Sequence, residues 1–114
     1  MVGAIYFIEM PYSDFKVFKG RPVLVFKTLD KSDVLVLPLT TNLKRKGIVL
    51  SNKDLQEGSL KKESVVVVPK VTAVDRDIIL DEHKIAVLKD EVFENVLENL
   101  CEAFGCSIFY NAQK

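Results

Sequence analysis

Short apolar runs, separated by polar stretches, fill the first two thirds of the chain. Several are continuously apolar and rich in β-branched residues, which is typical of strands that are buried on both faces. The runs cover residues 4–9, 22–27, 34–39, 48–50, 65–68 and 71–74. This pattern predicts a mainly β fold, either a small barrel or a sheet whose second face meets a dimer partner.

The segments between the runs have turn chemistry. Gly20, Gly47 and Gly58 fall between predicted strands, as do the polar stretches 28–33 and 51–62. We expect loops in these places, with one helical turn near residues 53–56. They join strands of a single domain that covers residues 1–114.

One amphipathic helix is predicted from Asp90 onward. Acidic residues at its start suit the helix dipole, and Gly105 is placed to end it. The apolar side chains with helical spacing are Val92, Phe93, Val96, Leu97, Leu100, Cys101 and Phe104. This stripe should cap an open end or face of the sheet, and Cys101 should be a small buried apolar side chain within it.

Length and composition restrict the possible classes of protein. A chain of 114 residues suits one domain, and it contains no apolar stretch of the ~20 residues needed to span a membrane. The start of the chain lacks a basic signal-peptide region, so we expect a soluble cytoplasmic protein. Two cysteines and one histidine match no familiar zinc spacing, which predicts reduced thiols and no metal or other cofactor.

Charge is unevenly distributed although the formal net charge is zero. Residues 1–50 contain eight Lys and Arg against four Asp and Glu, whereas residues 51–114 contain eight against twelve. A neutral chain is a poor nonspecific binder of nucleic acid. Any surface that binds a polyanion must therefore be local and lie mainly in the N-terminal half.

The candidate chemistry lies at two strand ends. Arg21 opens the second apolar run, and Thr40 follows the third, ahead of Thr41 and Asn42. A guanidinium and a hydroxyl can hold one phosphate without a metal ion, which indicates phosphodiester chemistry. Thr41 and Asn42 could contact bases nearby. Taken alone, each piece is more simply an ordinary strand start or turn, and the functional interpretation rests on their combination.

Basic residues near these strand ends extend the candidate site. Lys44, Arg45 and Lys46 form the densest basic run and could hold flanking phosphates, or simply form a solvated loop. Lys16 and Lys19 alternate with aromatic residues, a combination that suits a single-stranded ligand. His83 lies in a polar stretch and is expected to be an ordinary surface side chain.

Several segments resemble the PemK/MazF toxins of bacterial toxin-antitoxin modules. The similarity is carried, in order, by GAIYFIEMPYS at 3–13, GRPVLV at 20–25, LPLTTN at 37–42, LKKESVV at 60–66 and the helix at 90–104. The resemblance implies an SH3-like β-barrel with a C-terminal helix and a homodimer. It also implies metal-independent, sequence-specific cleavage of single-stranded RNA by the ribose 2′-hydroxyl, with Arg21 and Thr40 as catalytic residues and a cognate antitoxin as partner.

Two other functions remain open at this stage. Toxins of the same fold poison DNA gyrase instead of cutting RNA, although they act through a helix end that often contains tryptophan, and this chain has none. A catalytically silent barrel that binds nucleic acid or protein is the second alternative. The loop before Arg21 favours the silent barrel to some extent. Relatives often carry a carboxylate in this loop that orients the arginine, and the one acid in the corresponding loop here is Asp14, at its start.

Overall fold

The computed structural model describes residues 1–11 and 18–106. This part of the chain forms eight strands, three single-turn 3-10 helices and one α-helix. The elements are β1 (Ala4–Pro11), β2 (Phe18–Thr28), β3 (Asp33–Thr40), β4 (Ile48–Leu50), β5 (Leu55–Gly58), β6 (Ser64–Val66), β7 (Thr72–Asp75), β8 (Lys84–Leu88) and α1 (Asp90–Ala103).

The strands form a curled, half-barrel sheet in the order β4-β6-β3-β2-β1-β8-β5, and β7 pairs with β3 beside this path. All the pairs are antiparallel. The long strands β1, β2 and β3 occupy the centre. The mainly β fold with a C-terminal helix is therefore confirmed.

The central strands are buried on both faces, as their continuous apolar runs predict. Alternate side chains belong to two separate hydrophobic clusters, because successive residues of a strand point to opposite faces. One cluster contains Ile5, Leu24 and Leu37, and the other contains Tyr6, Val23 and Val36. Ile79 completes the second cluster. The second face of the sheet is thus covered by this chain itself.

The helix α1 packs on the first of these clusters through a narrow face. Val96 and Leu100 are buried, and Val92 and Phe93 are partly buried against the same cluster. The predicted stripe was too wide, because one side of a helix lying on a sheet contacts only part of its circumference. The apolar side chains left outside the contact are Leu97, Cys101 and Phe104, all of them exposed. The prediction that Cys101 is buried was wrong.

Two strands of the sheet, β5 and β8, were not predicted from the sequence. In β5, a single side chain, Leu55, is buried, and β8 follows the polar segment around His83. These strands pair with each other at the edge of the sheet. Backbone pairing is the main support of β5, whereas β8 contains an apolar run at residues 85–88 in which Ala86 and Leu88 are buried. None of the helices in the described ranges is long and apolar enough to cross a membrane.

Candidate active site

The candidate site lies where β2 and β3 stop pairing with each other. Their ladder runs from Thr28 and Val34 to Val23 and Pro38. Beyond that point β2 continues along β1, whereas the end of β3 pairs with β6 on its other side. Proline has no N–H to donate, so a proline at the last pair favours the separation of the two strands.

Arg21 and Thr40 face each other across this opening. Continuing the register from the Val23–Pro38 pair by two residues places Arg21 opposite Thr40. The two residues also lie on the same face of the sheet, because each is separated from that pair by an even number of residues. Both are partly exposed. The fold therefore brings together the two residues that the sequence predicts to share a phosphate.

A shallow cleft of about 230 Å³ occupies the opening. The residues that line it are Gly20, Arg21, Pro22, Leu39, Thr40, Thr41 and Ser64. Among the described residues of this lining, Arg21 supplies the one charged side chain, and three hydroxyls accompany it. A cation surrounded by hydroxyl groups at a solvent-accessible surface can bind a phosphate group.

The hydroxyl of Thr40 is oriented by the turn that follows β3. Its Oγ1 accepts a hydrogen bond from the backbone N–H of Asn42 at 3.2 Å. This contact occupies a lone pair and leaves the hydroxyl proton able to donate to a phosphate oxygen. The short β-branched side chain has few rotamers, so little entropy is lost when it binds.

Ser64 is a lining residue that reasoning from the sequence did not single out. It starts β6 and is the one polar residue buried in the described core, at 5% exposure. Its Oγ donates to the carbonyl of Lys62 at 3.1 Å. Because that bond uses the hydroxyl proton, Ser64 shapes the cleft wall and can only accept from a ligand. A serine opening an apolar run is the one signal that could have identified it.

Asn42 shapes the loop that leaves the site. Its Oδ1 accepts from the backbone N–H of Lys44 at 3.1 Å, and its carbonyl accepts from the N–H of Arg45 at 3.1 Å. The side-chain NH₂ remains for contact with a ligand. The loop is exposed throughout, so Lys44 and Arg45 are presented to solvent directly beyond the cleft.

Other predicted site residues lie elsewhere. Lys46 lines a second groove of about 280 Å³ beside the end of α1, with Asn99 and Glu102. His83 is exposed, as expected. Lys16 and Asp14, like the side chain of Lys19, lie outside the described residues.

Metal binding was not predicted, and the described ranges add no candidate for it. Among residues 1–11 and 18–106, no group of three or more histidine, cysteine or acidic side chains could hold a metal ion.

Comparison with known proteins identifies the family to which the chain belongs. Residues 1–104 match the family of PemK-like, MazF-like toxins of type II toxin-antitoxin systems. The match includes every strand, α1 and all the residues that line the cleft. No curated protein matches the chain. With a match over 104 of its 114 residues, the chain belongs to the PemK-like, MazF-like toxin family of type II toxin-antitoxin systems.

Proposed function

We propose that this toxin is a metal-independent endoribonuclease that cuts single-stranded RNA at specific sequences. The observation that carries the proposal is the common cleft, which Arg21, within β2, and Thr40, at the end of β3, both line. Membership of the toxin family supports it. The cleft is open and shallow, which suits an extended strand of RNA with its bases unstacked.

The proposed reaction is internal transesterification. The ribose 2′-oxygen attacks the adjacent phosphorus, a new O2′–P bond forms, and the P–O5′ bond breaks. The 2′-hydroxyl loses its proton, and the departing 5′-oxygen gains one. The products are a 2′,3′-cyclic phosphate and a 5′-hydroxyl end. Negative charge accumulates on the non-bridging oxygens in the transition state, so donors aimed at those oxygens accelerate the step.

Arg21 and Thr40 are the proposed catalytic residues. The guanidinium of Arg21 stays protonated and offers several fixed donors, so its main role is to stabilise the phosphorane-like transition state. Thr40 donates to a phosphate oxygen or aligns the 2′-hydroxyl for in-line attack.

The surrounding residues are proposed to bind the RNA on either side of the scissile bond. Thr41 lines the cleft and Asn42 keeps its side-chain NH₂ for base contacts. Lys44 and Arg45 would hold the flanking phosphates, with Lys46 reaching a more distant nucleotide from the second groove. Lys16 and Lys19 complete the proposed basic surface.

Neutralisation of Lys44 and Arg45 tests this binding surface. If they contact phosphates, the double variant Lys44→Ala/Arg45→Ala should raise KM and flatten its dependence on salt, with kcat retained. Lys61→Ala/Lys62→Ala, on another exposed loop, is the matched control. An unchanged KM and salt dependence would remove the basic run from the substrate surface.

Three further properties belong to the proposal. The toxin family implies an antitoxin partner, and we expect its acidic segment to cover the basic face and the cleft. We propose a cytoplasmic homodimer as the working form. Two apolar segments are candidates for the dimer surface, residues 34–39 and residues 108–110. Residues 34–39 are almost entirely buried within this chain, so β3 is not that surface. The other candidate, residues 108–110, lies outside the described residues. Light scattering on the purified protein measures the oligomeric state.

The decisive experiment incubates the purified toxin with a diverse pool of RNA in EDTA. We expect cleavage at a recurring sequence, with cyclic phosphate ends detected by their resistance to direct ligation. Inhibition of gyrase supercoiling without RNA cleavage would instead support the gyrase-poisoning alternative. Binding without cleavage, and without an effect on gyrase, would support a silent barrel.

A further inference from the structure

The helix α1 ends in a cap around a left-handed glycine. The last helical residue is Ala103, Phe104 follows as the C-cap, and Gly105 adopts a left-handed conformation with φ of 77°. The backbone N–H of Gly105 donates to the carbonyl of Glu102 at 3.1 Å. This hydrogen bond and the left-handed glycine are features of the Schellman motif.

A Schellman cap brings two particular side chains together. The residue after the left-handed glycine turns back onto the residue three positions from the helix end, and an apolar contact between them is common. In this chain those positions are Cys106 and Cys101. The two cysteines are thus five residues apart in sequence but adjacent at the helix end.

Independent features support the contact between the thiols. Through a hydrogen bond, the Cys106 side chain raises the pKa of the Cys101 thiol. Both side chains are exposed to solvent. Among the residues that the structure describes, apart from the chain neighbours of Gly105 and the helix's own backbone, none lies within 4 Å of the position that a Cβ would occupy there, so the cap has room to adjust.

We propose that Cys101 and Cys106 form a reversible dithiol–disulfide site at the end of α1, with a peroxide or a small-molecule disulfide as the oxidant. The cap holds the thiols together before oxidation, which favours a bond within the chain over one between chains. The accessible pair differs from a buried structural cysteine, because small oxidants can reach it.

The chemistry balances with either oxidant. With a peroxide, one thiolate is oxidised to a sulfenic acid. The second thiolate attacks that sulfur, the S–S bond forms, and the departing oxygen leaves as water. With glutathione disulfide, one thiolate displaces glutathione to give a mixed disulfide, and the second thiolate displaces the remaining glutathione. Two electrons and two protons leave the protein in each case, and a thiol reductant restores the dithiol.

Oxidation would close a ring across the helix end. It would fix the cap beside the groove of about 280 Å³ that is lined by Lys46, Pro69, Asn99 and Glu102. The cleft with Arg21 and Thr40 is lined by a different set of residues. We therefore expect the oxidation of Cys101 and Cys106 to be detectable whether or not the protein cuts RNA.

The test equilibrates the full chain in buffers with a range of ratios of reduced to oxidised glutathione, followed by acid quenching and alkylation. Intact mass spectrometry should show an oxidised form that lacks two hydrogen atoms and takes up no alkylating agent. A peptide that contains a Cys101–Cys106 bond should appear after proteolysis. Dithiothreitol should restore two alkylation sites.

Variants separate a preorganised pair from two ordinary thiols. Cys101→Ser and Cys106→Ser should each accumulate the glutathione adduct that the wild type resolves. Gly105→Ala keeps both thiols but disfavours the left-handed cap. In this variant the exposed helix end can relax while both thiols are reduced. We therefore expect the equilibrium constant for forming the Cys101–Cys106 disulfide to fall about fivefold or more relative to wild type. Gly3→Ala, at another left-handed glycine far along the chain, is the matched control.

The outcomes are decisive in both directions. An intramolecular disulfide whose equilibrium constant falls in Gly105→Ala but not in Gly3→Ala supports the site. Persistent mixed disulfides with glutathione in the wild type, disulfides between chains only, or equal oxidation of Gly105→Ala and wild type would overturn it.

Discussion

Arg21 and Thr40 occupy facing positions on β2 and β3, two residues beyond the last pair that joins these strands. The strands separate there because β2 follows β1 while the end of β3 pairs with β6. A cleft with a cation on one wall and a hydroxyl on the other is the result. The separation of the strands is as important to the proposed site as the identity of the two residues.

Replacement of Arg21 tests the charge of the cleft. Arg21→Ala should lower kcat for RNA cleavage by ~10² or more, because the transition state loses its cationic donor. Arg21→Lys should recover part of the rate, since an ammonium keeps the charge but lacks the planar fork. The rate is measured under single-turnover conditions in EDTA. Arg76→Ala, at an exposed position in a 3-10 turn, is the matched control. A wild-type rate for Arg21→Ala would exclude the assignment.

Replacement of Thr40 tests the hydroxyl. Thr40→Val preserves the shape but removes the donor and the acceptor for the N–H of Asn42. We expect a loss of ~10-fold or more in kcat, as for a hydrogen bond to a charged group. Thr40→Ser should retain most of the activity. Thr28→Val, at the exposed far end of β2, should behave as wild type. Equal activity of the valine and serine variants would show that the hydroxyl has no catalytic role.

Gly58 should be among the positions most sensitive to a single added carbon atom. It ends β5 with φ of 81°, and a Cβ there would collide with the carbonyl oxygen of Ile85. Gly58→Ala should therefore lower the free energy of unfolding by about 2–5 kcal/mol, combining backbone strain and a rigid clash.

Gly3→Ala provides the comparison for that variant. Gly3 has a similar φ of 88°, but an added Cβ would lie 3.9 Å from the ring of Phe93, an ordinary contact. We expect a loss of about 1–2 kcal/mol, from backbone strain alone. Urea denaturation measures both variants. Equal losses would mean that β5 moves freely to relieve the clash.

Tyr6 should make stability depend on pH in the alkaline range. Burial raises the pKa of its phenol above the ordinary value of 10.0, and the nearby Asp81 carboxylate raises it further, against an opposing effect of Lys84. The folded state therefore favours the neutral phenol. Its contribution is fully present below the unfolded pKa and is lost as pH rises through the folded pKa.

The melting temperature measured from about pH 8 to about pH 11 should fall at the alkaline end, and the Tyr6→Phe variant should show a shallower fall. An identical slope for Tyr6→Phe and wild type would show that this phenol does not titrate differently in the two states.

Much of the fold followed from local pattern. Continuous apolar runs predicted β1, β2 and β3 with both faces buried, and helical spacing with a terminal glycine predicted α1. The strands β5 and β8 were not predicted. The edge strand β5 has one buried side chain and is held mainly by backbone pairing, so it has little reason to show an apolar pattern of its own. The strand β8 does contain an apolar run, at residues 85–88, with Ala86 and Leu88 in the core.

The amino-acid sequence by itself determined the chemistry available to this protein: an arginine and a threonine at strand ends, a basic loop after them, and two thiols near a glycine. Only the tertiary structure decided which of these groups meet. Strand register and the divergence of β2 from β3 set Arg21 against Thr40, and the cap at the end of α1 is the basis on which we propose that Cys101 and Cys106 meet. The identity of a side chain is a local property of the sequence. The distance between two side chains depends instead on how the backbone pairs and packs, often between segments that are far apart in the chain.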